Sequence, residues 1–186
     1  MKIIGITGTL GAGKGTIVDY LIEKYHFEHF SVRKYLTSII ESKGLEVNRD
    51  TMTITANALR AEHNSPSFLI EELYRQAKES NKNCIIESIR TVGEIETLRK
   101  GGKFILLAVD ADQAIRYKRI WDRKSETDRI SFETFVEDEA REMRSDDPKK
   151  QNLGGCIALA DYTLTNNGDI DALKKQVDAI FKTISI

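Results

Sequence analysis

The chain has 186 residues, 31% of them charged, with 28 basic against 29 acidic side chains and a net charge of −1. That length suits one domain with a sizeable core, and the balanced charge argues against a nucleic-acid or anionic-membrane surface. Two far-separated cysteines and three histidines without metal-ligand spacing fit a reduced, soluble cytoplasmic protein, with the histidines as solvated or core-edge residues.

In chain order, the first element is an apolar run, Ile3-Ile4-Gly5-Ile6-Thr7, too short and too broken for a leader or a membrane span. It reads as a buried strand. Gly8-Thr9-Leu10-Gly11-Ala12-Gly13-Lys14-Gly15-Thr16 follows, and then apolar residues at Ile17, Val18, Leu21, Ile22 and Tyr25 mark a helix. Strand, glycine loop and helix together are the context a phosphate-binding loop requires. Glycines let successive amides turn inward around an anion, the helix adds its positive end, and Lys14 supplies a point charge. The alternative is a flexible glycine turn between buried elements.

Phe27–Val32 alternates like a short second strand. Cys84–Ser88 and Phe104–Val109 read as buried strands, and Asp161–Thr165 as the last. A helix with Ile170, Leu173, Val177, Ile180, Phe181 and Ile184 on one side ends the pattern. Strands alternating with helices predict an α/β fold, a parallel five-stranded sheet covered on both faces. Ligands in such sheets sit beyond the carboxyl ends of the strands.

Two segments break the alternation: Gly44–Pro66, with its polar stretch Asn48-Arg49-Asp50-Thr51, and the region around a helix at Ser131–Arg144. We read an acceptor-binding insertion over about 33–80 and a lid-like region over about 124–155 within a single domain, 1–186. Ordinary surface helices with polar loops are the other reading.

Phosphoryl chemistry needs charge neutralisation and in-line positioning, which directs attention to arginines and carboxylates at strand ends. Glu87 closes a buried strand, with Arg90 a short turn later; the plainer alternative is a surface ion pair. Arg116, Arg119 and Arg123 fall within roughly 60° on a helix at 100° per residue, giving a triply basic face. Such a face either meets an anion or is solvated and paired with Asp110, Asp112 or Glu126. Arg129, Arg141 and Arg144 are further candidates in the lid-like region, although Arg141 also suits an i,i+4 pair with Glu137. Arg60 is the best acceptor-side arginine, with Arg33 behind it.

The form G-x-x-G-x-G-K-G-T resembles adenylate kinase and related small nucleotide kinases, and the resemblance to P-loop nucleoside monophosphate kinases spans essentially the whole chain. The nearest branch is an archaeal adenylate-kinase-related one that shades into the dephospho-CoA kinases. The resemblance implies a P-loop NTPase fold and the substrates ATP and Mg2+. It makes Thr9, Leu10, Gly11, Ala12, Gly13, Lys14, Gly15 and Thr16 the triphosphate cradle, with Thr16 a phosphate contact first and a metal ligand second. The stretch Ile85–Thr91 resembles the kinase turn in which an acid orients metal-bound water and an arginine grips the acceptor. Glu87 would take the metal side and Arg90 the bridging role.

Arg119-Ile120-Trp121-Asp122-Arg123 resembles the kinase segment whose first arginine stacks on the ATP base and whose second reaches its phosphates. Arg144-Ser145-Asp146-Asp147 resembles a lid arginine followed by paired acids, while a competing alignment places the lid arginine nearer Arg123 to Arg129. Asn166-Asn167-Gly168, readable simply as a turn, occupies the loop that edges the base, with Asn167 the named contact. One departure stands out: the G-D-x-x-R pattern of adenylate kinases is replaced by Ser31–Thr37, with Thr37 at the arginine position. The expected function is therefore ATP-dependent phosphoryl transfer to a nucleoside or deoxynucleoside monophosphate. The catalytic set is Lys14, Arg90, Arg123 and Arg144, and the acceptor set is Arg33, Arg60, Glu87 and Arg90. Alternatives are a dephospho-CoA-type metabolite kinase, or an ATP-driven switch or assembly ATPase without a small acceptor. The expected partner is a small nucleotide, with no nucleic acid or membrane, in a monomer or homodimer.

Overall fold

The protein alternates strand and helix from β1 (Ile3–Gly8) and α1 (Lys14–Tyr25) through β2 (Glu28–Phe30), α2 (Val32–Ser42), α3 (Arg49–Glu62) and α4 (Phe68–Ser80). It continues with β3 (Cys84–Glu87), α5 (Val92–Lys100), β4 (Phe104–Asp110), α6 (Gln113–Arg123), α7 (Phe132–Met143), α8 (Leu153–Ala158), β5 (Tyr162–Thr165) and α9 (Ile170–Thr183). This is a computed structural model; it describes residues 1–102, 104–123, 130–145 and 151–185. The lid-like expectation over 124–155 therefore falls partly outside the described residues, and Arg129 wholly so.

The strands form one five-stranded sheet in the order β2-β3-β1-β4-β5, every neighbour parallel. β1 is central because it is apolar on both faces, as a strand covered by helices on each side must be. Ile4 and Ile6 pack with Ile17, Leu21, Leu173 and Phe181 of α1 and α9. Ile3 packs on the opposite face with Ile70, Leu73, Ile95 and Leu98 of α4 and α5. Both cysteines are free and buried. Among the described residues, no helix is long and apolar enough to cross a membrane.

Local chemistry moved several expected boundaries. β2 stops at Phe30 because Ser31 is extended and its side chain accepts from the Lys34 amide, starting α2 at Val32. The polar stretch at Asn48–Thr51 is a helix start: Asn48 and Thr51 close a reciprocal capping box on α3. The expected Ser131–Arg144 helix is bounded by those two residues as caps. The short helix α8, capped by Asn152, was not anticipated from sequence.

Three glycines hold the turn from β1 into α1. Gly8, Gly11 and Gly13 have φ of 135°, 79° and 103°, and a Cβ on them would lie 2.0 Å from the Val109 carbonyl, 2.6 Å from the Arg116 carbonyl and 2.3 Å from Asn166 Nδ2. Gly15 has open space, with nothing within 4 Å of its would-be Cβ. Gly8→Ala should therefore cost about 3 kcal/mol or prevent folding, whereas Gly15→Ala should leave stability within about 0.5 kcal/mol of wild type or raise it. Urea unfolding of the ligand-free protein measures both, and equal losses would contradict this account of the loop.

Candidate functional site

The loop delivers α1 with its first amides uncapped by any side chain and with no acidic residue in its first turn. The helix dipole adds positive potential at that end. Lys14, the first helical residue, folds back so that Nζ donates to the Gly8 carbonyl at 2.8 Å and the Thr9 carbonyl at 2.7 Å. Burial pushes its pKa down to about 8, and the Arg90 cation pushes the same way; Glu142 and Glu87 oppose, and Arg123 adds a smaller lowering. Arg90, Arg123, Glu87 and Glu142 thus all act on the Lys14 charge.

Glu87 ends β3 on the same side. His29 Nε2, at the carboxyl end of β2, stands 3.3 Å from Glu87 Oε1. The contact lacks hydrogen-bond alignment, yet the imidazole is the largest influence holding the Glu87 carboxyl below its usual range. Burial opposes, and the Ser31 hydroxyl and Lys14 charge assist. Of the two expectations for His29, core-edge is the one observed, with its side chain 13% exposed on the edge strand, and from there it buttresses the strand-end acid.

The turn from Glu87 to Arg90 is over-determined. Ser88 takes φ 70°, a conformation that persists only where surroundings impose it. Thr7 Oγ1 donates to the Ile89 carbonyl at 2.8 Å in the buried interior. Glu94 Oε2 accepts from the amides of Arg90 and Thr91 at 2.9 and 3.0 Å. The Asn152 amide donates to the Arg90 carbonyl at 2.9 Å. Thr7, Glu94 and Asn152 were not singled out from sequence. Thr91-Val92-Gly93-Glu94 is a capping box, and that spacing was the available signal.

On the other flank of the loop, Arg119 Nη2 donates to the Asn166 carbonyl at 2.9 Å, while its Nη1 is buried without a hydrogen-bond partner among the described residues. An orphaned buried donor is costly, and here it lies beside the loop. Asn166, only 6% exposed, donates from Nδ2 to the Ala12 carbonyl at 2.8 Å. It, not Asn167, locks the β5–α9 turn onto the phosphate loop. Asn167 is engaged in both directions with Asp112, each contact at 2.8 Å. Thr9 is buried and donates to Asp110 Oδ1 at 2.6 Å, whereas Leu10 is 43% exposed at the loop tip. Thr16 stands partly exposed in the first turn of α1.

The proposed basic face of α6 is split. Arg119 and Arg123 serve the loop side as described, but Arg116 is buried and paired with Glu139 of α7, with Asp110 at 3.5 Å. The pairing of Arg141 also differs: it contacts Asp138, one turn away at i,i+3, and not Glu137.

A cleft of ≈1440 Å³ is bounded by α2, α3, the β3–α5 turn and the end of α7. It collects Arg33, Arg60, Arg90, Arg141 and Arg144, together with Glu87, Glu94 and Glu142, over an apolar floor that includes Leu36, Leu69 and Ile70. Arg90 Nη1 is held by Gln151 Oε1 at 3.1 Å, with Glu142 at 3.9 Å. Arg144 is the exposed C-cap of α7. Every described arginine expected on the acceptor side thus lies on one cavity, and Arg119 and Asn167 lie on the other flank of the loop.

A central glycine loop with a partly buried lysine, set in a parallel sheet of this strand order, defines a P-loop kinase-like fold. The chain matches the AAA domain family over residues 4–145, and it belongs to the UPF0200 family. It is 32% identical to a UPF0200 protein of Methanococcus maripaludis over 189 residues, covering 99% of this chain and 98% of the relative. A Methanocaldococcus jannaschii member is 30% identical over 186 residues, covering 99% of this chain and 91% of the relative. Among solved structures, Thermus thermophilus TT1252 matches with a TM-score of 0.63 at 19% identity, over 98% of this chain and 97% of that one. A shikimate kinase of Bacteroides thetaiotaomicron matches with a TM-score of 0.62 at 13% identity, over 100% and 99%.

The Lys14 environment has a measurable consequence. Its folded pKa of about 8 lies below the ordinary 10.5, so between those values the unfolded chain binds the extra proton and stability rises with pH. Relative to Lys14→Met, the wild type should gain about 1–2 kcal/mol between pH 8 and pH 9.5. Urea unfolding of both proteins at several pH values checks this, and a flat difference would contradict the burial of a charged Lys14.

Proposed function

We propose that the protein is an ATP-dependent phosphotransferase that moves the γ-phosphoryl group onto a nucleoside or deoxynucleoside monophosphate. The observation that carries the reading is the gathering of Arg33, Arg60, Arg90, Arg141 and Arg144 with Glu87 on one cleft, Glu87 and Arg90 being among the charges that act on Lys14. A phosphate acceptor is itself an anion and must approach a polyanionic donor. Guanidiniums, always charged and able to fork onto phosphate oxygens, suit that task. The cleft exceeds the usual 300–1,000 Å³ of a small-ligand pocket, leaving room for an acceptor of nucleotide size. A switch without a small acceptor gives no reason for such a lining.

In this reading the amides of the Gly8–Thr16 loop hold the β-phosphate, and Lys14, already half-desolvated, moves with the transferring group. Arg90, Arg123 and Arg144 offset charge in the transition state. Arg119 lies against the base with its unpartnered Nη1, and the Asn166–Asn167 turn edges it. Glu87, kept ionised by His29, and the Thr16 hydroxyl are the oxygen donors that suit Mg2+, a hard cation that would take its remaining ligands from phosphate and water. The metal supplies neutralisation of phosphate charge. The cleft-side helices α2–α4 serve as the acceptor-binding insertion, and α7 with its flanks as the lid-like region. No general base is needed, because a phosphate oxygen is already an anionic nucleophile.

A second reading, an alcohol acceptor of the dephospho-CoA kind, is favoured by one observation. Glu87 lines the acceptor cleft as an ionised carboxylate, which is the group an alcohol nucleophile would want as base. ADP release with ATP, Mg2+ and a panel of AMP, CMP, dCMP, UMP, GMP and dephospho-CoA separates the readings. We expect at least one monophosphate to stimulate release more than tenfold. Stimulation by dephospho-CoA alone would transfer the assignment to the alcohol reading, and equal release under all conditions would remove the acceptor altogether. With the active acceptor, Arg90→Ala should lower kcat/KM by roughly 10²-fold through lost transition-state stabilisation. Unchanged kinetics would exclude Arg90 from the site.

A further inference from the structure

The contact between α6 and α7 takes no part in the chemistry above, yet it buries a full ion pair. Arg116 is 4% exposed. Its Nε donates to the Ala111 carbonyl at 2.7 Å and its Nη1 to the carbonyl of Leu10, in the phosphate loop, at 3.3 Å. The remaining fork grips Glu139 of α7: Nη2 meets Oε1 at 2.9 Å, and Nη1 contacts Oε2. Gln113 Nε2 adds a donor to Glu139 at 2.9 Å. The Arg116 carbonyl in turn stands against Gly11, where a Cβ would come within 2.6 Å. One residue therefore touches the loop at two successive positions and holds α7 by a bidentate bond.

What α7 carries on its far end matters. Arg141, Glu142 and Arg144 line the acceptor cleft, two, three and five residues beyond Glu139. Among the described residues of α7 only Phe135 is fully buried, and the Arg116 guanidinium lies 5.6 Å over its ring. Phe132 and Phe135 also meet the Tyr117 ring of α6, at 5.1 and 5.6 Å; these ring contacts hold the two helices together, and the bidentate polar contact adds a fixed angle between them. A stabilising role explains the pair poorly, since well-packed apolar residues generally replace a buried ion pair without loss. Orientation explains it better: a planar fork fixes angle as well as distance.

We propose that Arg116 and Glu139 are positioning residues, a buried clamp through which filling of the phosphate loop fixes α7 and sets Arg141 and Arg144 over the acceptor cleft. The inference rests on the loop binding a nucleoside triphosphate, as proposed above. An anion drawn into the loop orders the backbone at Leu10 and Gly11. Arg116 bonds the first and packs against the second, and Glu139 carries that order to α7. The nucleotide and the acceptor are thereby coupled through side chains that touch neither.

Hydrogen exchange of the α7 amides, with and without a non-hydrolysable ATP analogue, tests this in the wild type and in the double variant Arg116→Met/Glu139→Leu, which keeps buried volume. In the wild type the analogue should slow α7 exchange by about tenfold or more. In the double variant the analogue should bind within about threefold of wild-type affinity but leave α7 exchange unchanged. Glu139→Gln keeps shape while losing the charge, and should fall between the two; it provides the comparison if the double variant does not fold. Equal α7 protection in wild type and Glu139→Gln, or in wild type and double variant, would overturn the clamp. Binding to the wild type with no protection of α7 would also overturn the clamp, while leaving the proposed activity standing. Failure of the analogue to bind the wild type would instead overturn the proposed activity, and the clamp with it.

Discussion

The structure depends on the path of the main chain between Gly8 and Lys14. Each of its three left-handed glycines is wedged against a different part of the molecule: the end of β4, the first turn of α6, and the Asn166 side chain. A side chain at any of them would push apart elements that the sheet order brings together. The loop is thus the point where β4, α6 and the β5–α9 turn are fastened to the central strand. Its proposed function as an anion cradle and its role in the architecture use the same geometry. The hydrogen bonds agree: Thr9 to Asp110, Arg116 to Leu10 and Asn166 to Ala12 each tie the loop to one of those three neighbours.

That fastening sets up an electrostatic imbalance. Lys14 is partly buried and donates to two carbonyls, and its depressed pKa records burial and the Arg90 and Arg123 charges outweighing Glu142 and Glu87. Arg90 has an amide oxygen and a distant acid as partners, and Arg119 leaves one buried nitrogen unpaired. A fold selected for stability alone would have no reason to concentrate such deficits at the carboxyl ends of its strands. An anionic ligand would repair several of them at once, so in the proposed function the interactions that weaken the ligand-free site are the ones that would recognise phosphate.

Much of this was legible in the residues. The five strands, their parallel arrangement and the glycine loop follow from apolar runs, turn residues and helical periodicity, signals that live within a dozen residues. Glu87 and Arg90 were readable because a strand end in such a sheet is a site by position. What escaped depends on distant partners. Arg116 shares a helical face with Arg119 and Arg123, and only the packing of α7 shows that it is buried. Asn166 and Asn167 are equivalent in sequence; the pleat and the end of β5 decide which one reaches Ala12. His29 carried no motif, since its meaning comes from β2 lying beside β3 in register with it. Helix α8 is too short for a periodic pattern to reveal.

The acceptor side is where the chain departs from the kinases it resembles, and the departure has a direction. The arginine expected at position 37 is replaced by Thr37, while Arg33 occupies the same face of α2 one helical turn, roughly 6 Å, nearer its start. Arg33 lines the cleft and Thr37 does not. The start of α2 is no neutral place: Ser31 caps it and also steadies Glu87, whose other neighbour is His29. A group gripped by Arg33 is therefore drawn toward the strand-end carboxylate, and one held at position 37 would lie a turn farther out. In the proposed activity, the shift of one guanidinium along α2 would bring acceptor recognition and the metal-side acid into the same corner of the cleft, with the lysine proposed to follow the transferred group.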